Sequence, residues 1–111
     1  MRVLVCDDSH AILECTRALL ESHGHEVVTY ESFLGACVEL GLLVPFNVVI
    51  CDGFDGDGPN LLMMVRNTFS DVKTILHSAD SRLVEQEKAR GFCGIVKGDS
   101  WDEVMRAVGE K

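Results

Sequence analysis

The chain has 111 residues, a length that suits one domain and leaves no room for a second of ordinary size. Eighteen acidic against ten basic residues give a formal net charge of −8, so we expect no direct binding to nucleic acid, whose phosphates would be repelled. The first apolar run, residues 3–6, is too short for a signal-peptide core, and no run reaches membrane-spanning length, so we expect a soluble, cytoplasmic protein without membrane insertion.

Short apolar runs alternate with amphipathic ones through the first half of the chain. Residues 3–6 predict a buried strand and residues 9–22 a helix that stops before Gly24. The β-branched run 26–30 predicts a second strand, and residues 32–40 a second helix. Residues 47–51 are continuously apolar after Asn47, as in strands that are buried on both faces of a parallel sheet.

The second half continues the alternation after a loop rich in glycine and aspartate at 53–58. The next predicted element is a helix that begins near Pro59 and runs to about 69, followed by a strand over 72–77. A helix over 82–90 and a strand over 94–97 come next. A capping box at 100–103 predicts the start of the last helix. Five strand–helix units of this spacing predict an α/β fold with a parallel sheet, helices on both faces and right-handed crossovers.

Three of the predicted helices have faces that the apolar pattern assigns to the core. The inward residues are predicted to be Ile12, Cys15, Thr16 and Leu19 in the first helix, Phe33, Ala36, Cys37 and Leu40 in the second, and Trp101, Val104, Met105 and Val108 in the last. Leu13 is predicted to face solvent, where it would mark a docking surface on the first helix.

Five cysteines occur along the chain, an odd number without a CxxC spacing. A disulfide framework or a zinc site therefore has little support. Because most of them sit in apolar or amphipathic runs, we predict reduced thiols that are mostly buried; the residues are Cys6, Cys15, Cys37, Cys51 and Cys93.

Ligands of such folds bind at the carboxyl ends of the strands, and polar residues stand at these ends. Asp7 and Asp8 follow the first strand, Asp52 the third and Ser78 the fourth, and Lys97 ends the fifth. Three adjacent carboxylates disfavour one another's ionisation, which a hard divalent cation such as Mg²⁺ would relieve. The set suits phosphoryl transfer to a carboxylate, with Asp52 as nucleophile and with the metal, Lys97 and Ser78 neutralising the phosphoryl oxygens.

The sequence resembles the receiver domains of two-component response regulators over its whole length, 1–111. The resemblance rests on VLVCDDS at 3–9, LLESHGHEV at 19–27, VVICD at 48–52, the pair Ser78-Ala79, and Lys97. It implies a doubly wound, flavodoxin-like sandwich of five strand–helix units with strand order 2-1-3-4-5.

The same resemblance implies the roles of particular residues. Asp8 and Asp52 would bind Mg²⁺ directly, Asp7 through water and Phe54 through its backbone carbonyl. Asp52, Ser78 and Lys97 would form the phosphorylation site. The phosphoryl group would come from a sensor histidine kinase or a phosphotransfer protein, and the signal would pass to a downstream target protein by contact. The chain would catalyse only its own phosphorylation and dephosphorylation.

Several positions depart from the family pattern. Gly98 follows Lys97 where the family has proline, and Gly94 stands three residues before Lys97, where the family often has an aromatic side chain that rotates on activation. Gly56 and Pro59-Asn60 replace a proline and a later Asp-Gly. We therefore expect any response to run through Ser78 and the residues after it. A pseudo-receiver that acts without phosphorylation stays open as the alternative.

A small metal-dependent phosphohydrolase is chemically close to this set, but it would need a general acid near the nucleophile. Asp55 and His77 are the candidates, and His77 is predicted to be packed because it lies in the apolar run of the fourth strand.

Overall fold

The computed structural model describes residues 1–32, 35–36, 46–98 and 101–109, and the elements below lie within them. The strands are β1 (Arg2–Cys6), β2 (Glu26–Tyr30), β3 (Val48–Cys51), β4 (Lys73–Ser78) and β5 (Cys93–Val96). The helices are α1 (His10–Ser22), α2 (Asp57–Thr68), α3 (Ser81–Ala89) and α4 (Trp101–Val108), and a short 3-10 helix at Phe54–Gly56 precedes α2. Most of the helix predicted over 32–40, and Ser100 of the predicted capping box, lie outside the described residues.

The strands form one parallel sheet in the order β2-β1-β3-β4-β5, as predicted. Cys6 of β1 is the register partner of Cys51 in β3, and Ser78 of β4 is the partner of Val96 in β5. This register fixes which residues emerge together at the carboxyl edge of the sheet. None of the described helices is long and apolar enough to cross a membrane.

The core lies on both faces of the sheet, because every residue of β3 is buried. On one face the sheet packs against α2 and α3, through Leu61, Leu62 and Val65 of α2 and Val84 of α3. On the other face it packs against α1 and α4, through Leu13 and Leu20 of α1 and Val104, Met105 and Val108 of α4. The doubly wound arrangement follows, and it leaves the strand ends as the place where polar groups can gather.

Helix α1 buries a face turned by about one residue from the one predicted, although Thr16 is buried as predicted and Leu19 packs at the edge of the core. The side chains in the core are Leu13, Thr16 and Leu20, and Leu13 is only 2% exposed, whereas Cys15 is exposed. Both stripes have helical spacing, and the pattern alone did not separate them. Thr16 can be buried because its hydroxyl donates to the Ile12 carbonyl at 2.7 Å. The prediction that Leu13 faces solvent is therefore wrong, and Leu13 cannot belong to an exposed docking surface on this helix.

Helix α4 follows its predicted face for three of four residues. Val104, Met105 and Val108 are buried, but Trp101 at the start of the helix is 36% exposed. Its ring meets the ring of His77 edge-on, with 5.7 Å between centroids. His77 is buried, as predicted. Trp101 is thus a surface residue that packs over His77 rather than a core residue.

His77 makes the stability of the fold sensitive to acid. Burial, together with the charge of Lys97, lowers the pKa of His77 to about 4 against the opposing effect of Asp52. Between about pH 4 and pH 6.5 the unfolded chain therefore binds more protons at His77 than the folded chain does. The contribution of neutral His77 to the free energy of unfolding is complete above pH 6.5 and is lost as the pH falls toward 4. We expect a loss of roughly 3 kcal/mol across this window, from the pKa difference and about 1.4 kcal/mol per pKa unit.

Urea unfolding at a series of pH values measures this effect. His77→Gln should flatten the dependence between pH 4 and 6.5, while His23→Gln, which changes an exposed histidine, should not. Equal slopes in His77→Gln and wild type would contradict the assignment.

The thiols of the described cysteines are all free. Cys6 and Cys51 are buried and Cys93 is half-buried, in line with the prediction, but Cys15 is exposed because of the rotated face of α1. Cys37 lies outside the described residues.

Candidate phosphorylation and metal site

The hydrogen-bond ladders of the sheet continue past the strand ends and bring the predicted polar residues together. The backbone N–H of Asp52 donates to the Cys6 carbonyl at 2.8 Å, and the N–H of Asp7 donates to the Tyr30 carbonyl at 3.1 Å. The N–H of Lys97 donates to the Ser78 carbonyl at 2.9 Å. Each side chain is therefore held by a main chain that is itself fixed in the sheet.

Lys97 links two of the carboxylates. Its Nζ lies 2.6 Å from Oδ1 of Asp52 and 2.8 Å from Oδ2 of Asp7. Burial opposes the charged form of the lysine, but its hydrogen bonds to Asp52 and Asp7 outweigh this and raise the pKa of Lys97. The ammonium therefore stays charged and bridges the ends of β1 and β3.

Asp7 is the most enclosed of the three acids in this cluster, at 2% exposed. Burial raises the pKa of Asp7, although Lys97 and the Ser9 N–H, which donates to Oδ1 at 2.9 Å, act in the opposite direction. The Lys97 ammonium does not fully offset the cost of burying the charged Asp7 carboxylate. A second cation near Asp7 would lower this cost further.

Asp7, Asp8 and Asp52 lie close enough together that they could hold a metal ion. Each offers a carboxylate oxygen, and these oxygens lie within 4.8 Å of one another. Asp8 is exposed, so the cluster opens to solvent on one side. A hard divalent cation such as Mg²⁺ uses carboxylates with several waters, and three acids around one lysine leave about two negative charges for it to balance.

The turn after Asp52 is strained. Oδ2 of Asp52 accepts the Phe54 N–H at 3.0 Å, and Phe54 and Asp55 have φ angles of +44° and +52°. Residues other than glycine adopt this left-handed region at a cost of about 1–3 kcal/mol each, usually at functional sites. Helix α2 begins at Asp57, two residues earlier than the predicted start at Pro59.

The Phe54 carbonyl, implied as a metal ligand by the resemblance, accepts the N–H of Asp57. A carbonyl oxygen has two lone pairs, so this bond is compatible with a second role. The geometry of the described residues brings Asp7, Asp8, Asp52 and Lys97 together directly, and it places Phe54 next to them through its N–H.

Ser78 borders a cavity of about 200 Å³ that also borders Asp52. Its Oγ accepts the Asp80 N–H at 3.0 Å, which leaves the hydroxyl hydrogen free to be donated to a ligand oxygen. The other walls of the cavity include Gly53 and Leu83, which sequence reasoning missed. The sequence signal for Gly53 is its position directly after Asp52.

Comparisons of sequence and of structure give different results. No protein-family model and no curated protein sequence matches the chain. Response regulator TrrA from Thermotoga maritima, solved with Mg²⁺ and BeF, superposes with a TM-score of 0.82 at 27% identity, over 96% of this chain and 95% of that one. A response regulator receiver domain protein from Clostridium thermocellum superposes with a TM-score of 0.80 at 23% identity, over 96% of this chain and 90% of that one.

The receiver domain of Francisella response regulator 1452 also matches, with a TM-score of 0.80 at 23% identity over 96% of this chain and 92% of that one. These matches show that the chain has the fold of response-regulator receiver domains. They confirm the resemblance that the acidic pair, the strand that ends before Asp52 and the lysine indicated.

Proposed function

We propose that residues 1–111 form a receiver domain that accepts a phosphoryl group on Asp52, with Mg²⁺ held by Asp8, Asp52, the Phe54 carbonyl and, through water, Asp7. The observation that carries this proposal is the contact of one ammonium, Lys97, with both Asp7 and Asp52 in a cluster of three acids. An ion pair that only stabilises the fold would need a single carboxylate beside Lys97, and here there are three acids in the cluster.

The contacts of Asp52 suit a nucleophile whose orientation is fixed. Lys97 holds Oδ1 and the Phe54 N–H holds Oδ2, so the plane of the carboxylate is set from two sides. A carboxylate oxygen forms the new bond to phosphorus as the bond to the donor breaks, and the donor keeps the electron pair. Lys97 and the Ser78 hydroxyl would then neutralise two phosphoryl oxygens. Bound Mg²⁺ would supply the remaining positive charge.

The donor in this proposal is a phosphohistidine on a sensor kinase or a phosphotransfer protein, and the output is contact with a target protein. The chain would catalyse only its own phosphorylation and dephosphorylation.

The coupling from Asp52 to the surface would not use a side chain at Gly94. A Cβ built on Gly94 would lie 3.0 Å from the Val84 carbonyl oxygen, so helix α3 packs against β5 where such a side chain would begin. Ser78 is better placed, because its hydroxyl accepts the Asp80 N–H and Asp80 caps helix α3. Closure of the hydroxyl on a phosphoryl oxygen would therefore act on the start of α3.

Beryllofluoride with Mg²⁺, a mimic of the phosphoryl group, tests the proposal. We expect NMR amide shifts near Asp52, in residues 78–82 and in residues 97–100, and small changes at Gly94. Shifts confined to the neighbourhood of Asp52 would favour the pseudo-receiver. Absence of any binding would overturn the proposal.

Mg²⁺ should also stabilise the fold. At about ten times its dissociation constant a cation adds about 1.4 kcal/mol, which in a domain of this size raises the melting temperature by roughly 4–8 °C. Thermal unfolding with and without Mg²⁺ measures the shift. Asp8→Ala should remove it, while Asp71→Ala, an exposed acid outside the cluster, should keep it. A wild type that melts at the same temperature with and without Mg²⁺ would count against a metal site.

A further inference from the structure

Two glycines contact the site at places where any side chain would collide with it. A Cβ built on Gly58 would lie 1.9 Å from the backbone oxygen of Asp52, and one built on Gly53 would lie 2.8 Å from Oγ of Ser78. Real Cβ atoms essentially never lie this close to another heavy atom, so neither part of the site could keep its geometry with alanine in place. We infer that Gly58 positions Asp52 and that Gly53 positions Ser78 for phosphoryl transfer.

Backbone conformation does not explain these glycines. Gly53 has φ −64° and ψ −33°, which any residue adopts, and Gly58 lies in the first turn of α2. Glycine weakens a helix relative to alanine, so its presence in α2 opposes local preference. The close approach to Asp52 is the feature that requires it.

Gly58 lets the start of α2 rest on the end of β3. Its N–H donates to the Gly53 carbonyl at 2.9 Å, and the Gly56 N–H donates to the same oxygen at 2.9 Å. The Asp52 N–H is held by Cys6, so the Asp52 main chain is fixed in the sheet on one side and covered by α2 on the other. An added methyl group must push these apart and shift the carboxylate from Lys97 and the acid cluster.

Gly53 acts on the other half of the site. The atoms closest to a methyl group there belong to two side chains, Oγ of Ser78 and, at 2.9 Å, Cδ1 of Leu83. These side chains can move, so Gly53→Ala should fold. The hydroxyl would leave its place beside the Asp80 N–H, while the acids and Lys97 would stay where they are.

The two positions therefore predict different defects, and this inference rests on the proposed function. Gly58→Ala should raise the Mg²⁺ dissociation constant by about ten- to a hundredfold, as loss of a group that orients metal ligands does. Gly53→Ala should leave Mg²⁺ affinity unchanged but slow labelling by acetyl phosphate at saturating Mg²⁺, by up to about a hundredfold for a displacement near 1 Å.

Calorimetric titration with Mg²⁺ and initial labelling rates measure these effects on folded protein. Gly91→Ala is the matched control, because Gly91 has φ +87° with nothing within 4 Å of an added Cβ. It should lower stability through backbone strain and leave both readouts at wild-type values. Lost Mg²⁺ affinity in Gly58→Ala with normal affinity in Gly91→Ala separates positioning from general destabilisation.

If Gly58→Ala does not fold, Asp55→Gly/Gly58→Ala replaces it, compared with Asp55→Gly. Glycine relieves the φ of +52° at Asp55 and gives the turn freedom to accept the methyl group. The double variant should bind Mg²⁺ more weakly than its parent. Equal Mg²⁺ affinity in the two would overturn the role of Gly58, and an unchanged labelling rate in Gly53→Ala would overturn that of Gly53. A wild type that neither binds Mg²⁺ nor becomes labelled would instead overturn the proposed function.

Discussion

Asp52→Asn is expected to abolish phosphorylation of the chain. Incubation of wild type with acetyl phosphate and Mg²⁺ should add one base-labile phosphoryl group, visible by intact mass spectrometry. Asparagine preserves the shape of the side chain and leaves an oxygen that can accept the Phe54 N–H, which Asp52 now holds at 3.0 Å. The nucleophilic charge is lost, so labelling should fall to the background of unreactive protein.

Asp57→Asn is the matched control for this loss. Asp57 is a carboxylate five residues along the chain in the first turn of α2, outside the cluster of Asp7, Asp8 and Asp52. It should be labelled like wild type. Undiminished labelling of Asp52→Asn would move the acceptor to another acid, with Asp55 and Asp57 the first to test.

The sheet and the acid cluster could be predicted from the sequence because both depend on short-range patterns. The run 26–30 has the bounds that β2 has in the structure, and the apolar residues before Asp52 form a strand that is buried on both faces. Parallel strands end at one edge, so the residue after each strand was enough to bring Asp7, Asp52 and Lys97 together. Their contact at 2.6 and 2.8 Å follows from topology and charge.

The face of α1 could not be predicted, because two stripes of similar apolar character run along it. In the structure the helix packs against the sheet through the stripe that contains Leu13 and Leu20. A rotation by one residue moved Cys15 to the surface. Tertiary packing decides between such stripes when composition does not.

The strained turn was also beyond prediction. Left-handed φ values are usually expected at glycine, yet here Phe54 and Asp55 adopt them as well as Gly56. Gly58 packs closely against the backbone oxygen of Asp52, so the chain must reverse its direction between these two residues. That contact depends on how a strand and a helix meet, which no local pattern specifies.

A buried ion pair on the α2–α3 face carried no signal in the sequence, since charges on helices are usually solvated. Glu87 of α3 is 1% exposed, and Nη1 of Arg66 in α2 lies 3.4 Å from its Oε2. The same Nη1 donates to Oγ1 of Thr74 at 2.8 Å, and the guanidinium lies 3.6 Å above the centre of the Phe92 ring. Arg90, which is half exposed, adds a longer contact of 3.7 Å to Glu87.

Arg66→Met should therefore cost about 3–5 kcal/mol of unfolding free energy, because it leaves the Glu87 carboxylate buried without its main partner. This is a large part of the 5–15 kcal/mol typical of a whole domain. Urea unfolding measures the loss. Arg90→Met removes the more exposed partner and should cost about 1 kcal/mol or less.

Arg66→Met/Glu87→Leu supplies the deciding comparison. Removing both charges replaces a desolvated pair by apolar contacts, which is often neutral or stabilising, so the double variant should regain most of the stability that the single one loses. Recovery would show that the cost lies in the uncompensated carboxylate rather than in the lost packing of Arg66 on Phe92. A double variant as unstable as Arg66→Met, or an Arg66→Met no less stable than Arg90→Met, would contradict this account of the α2–α3 face.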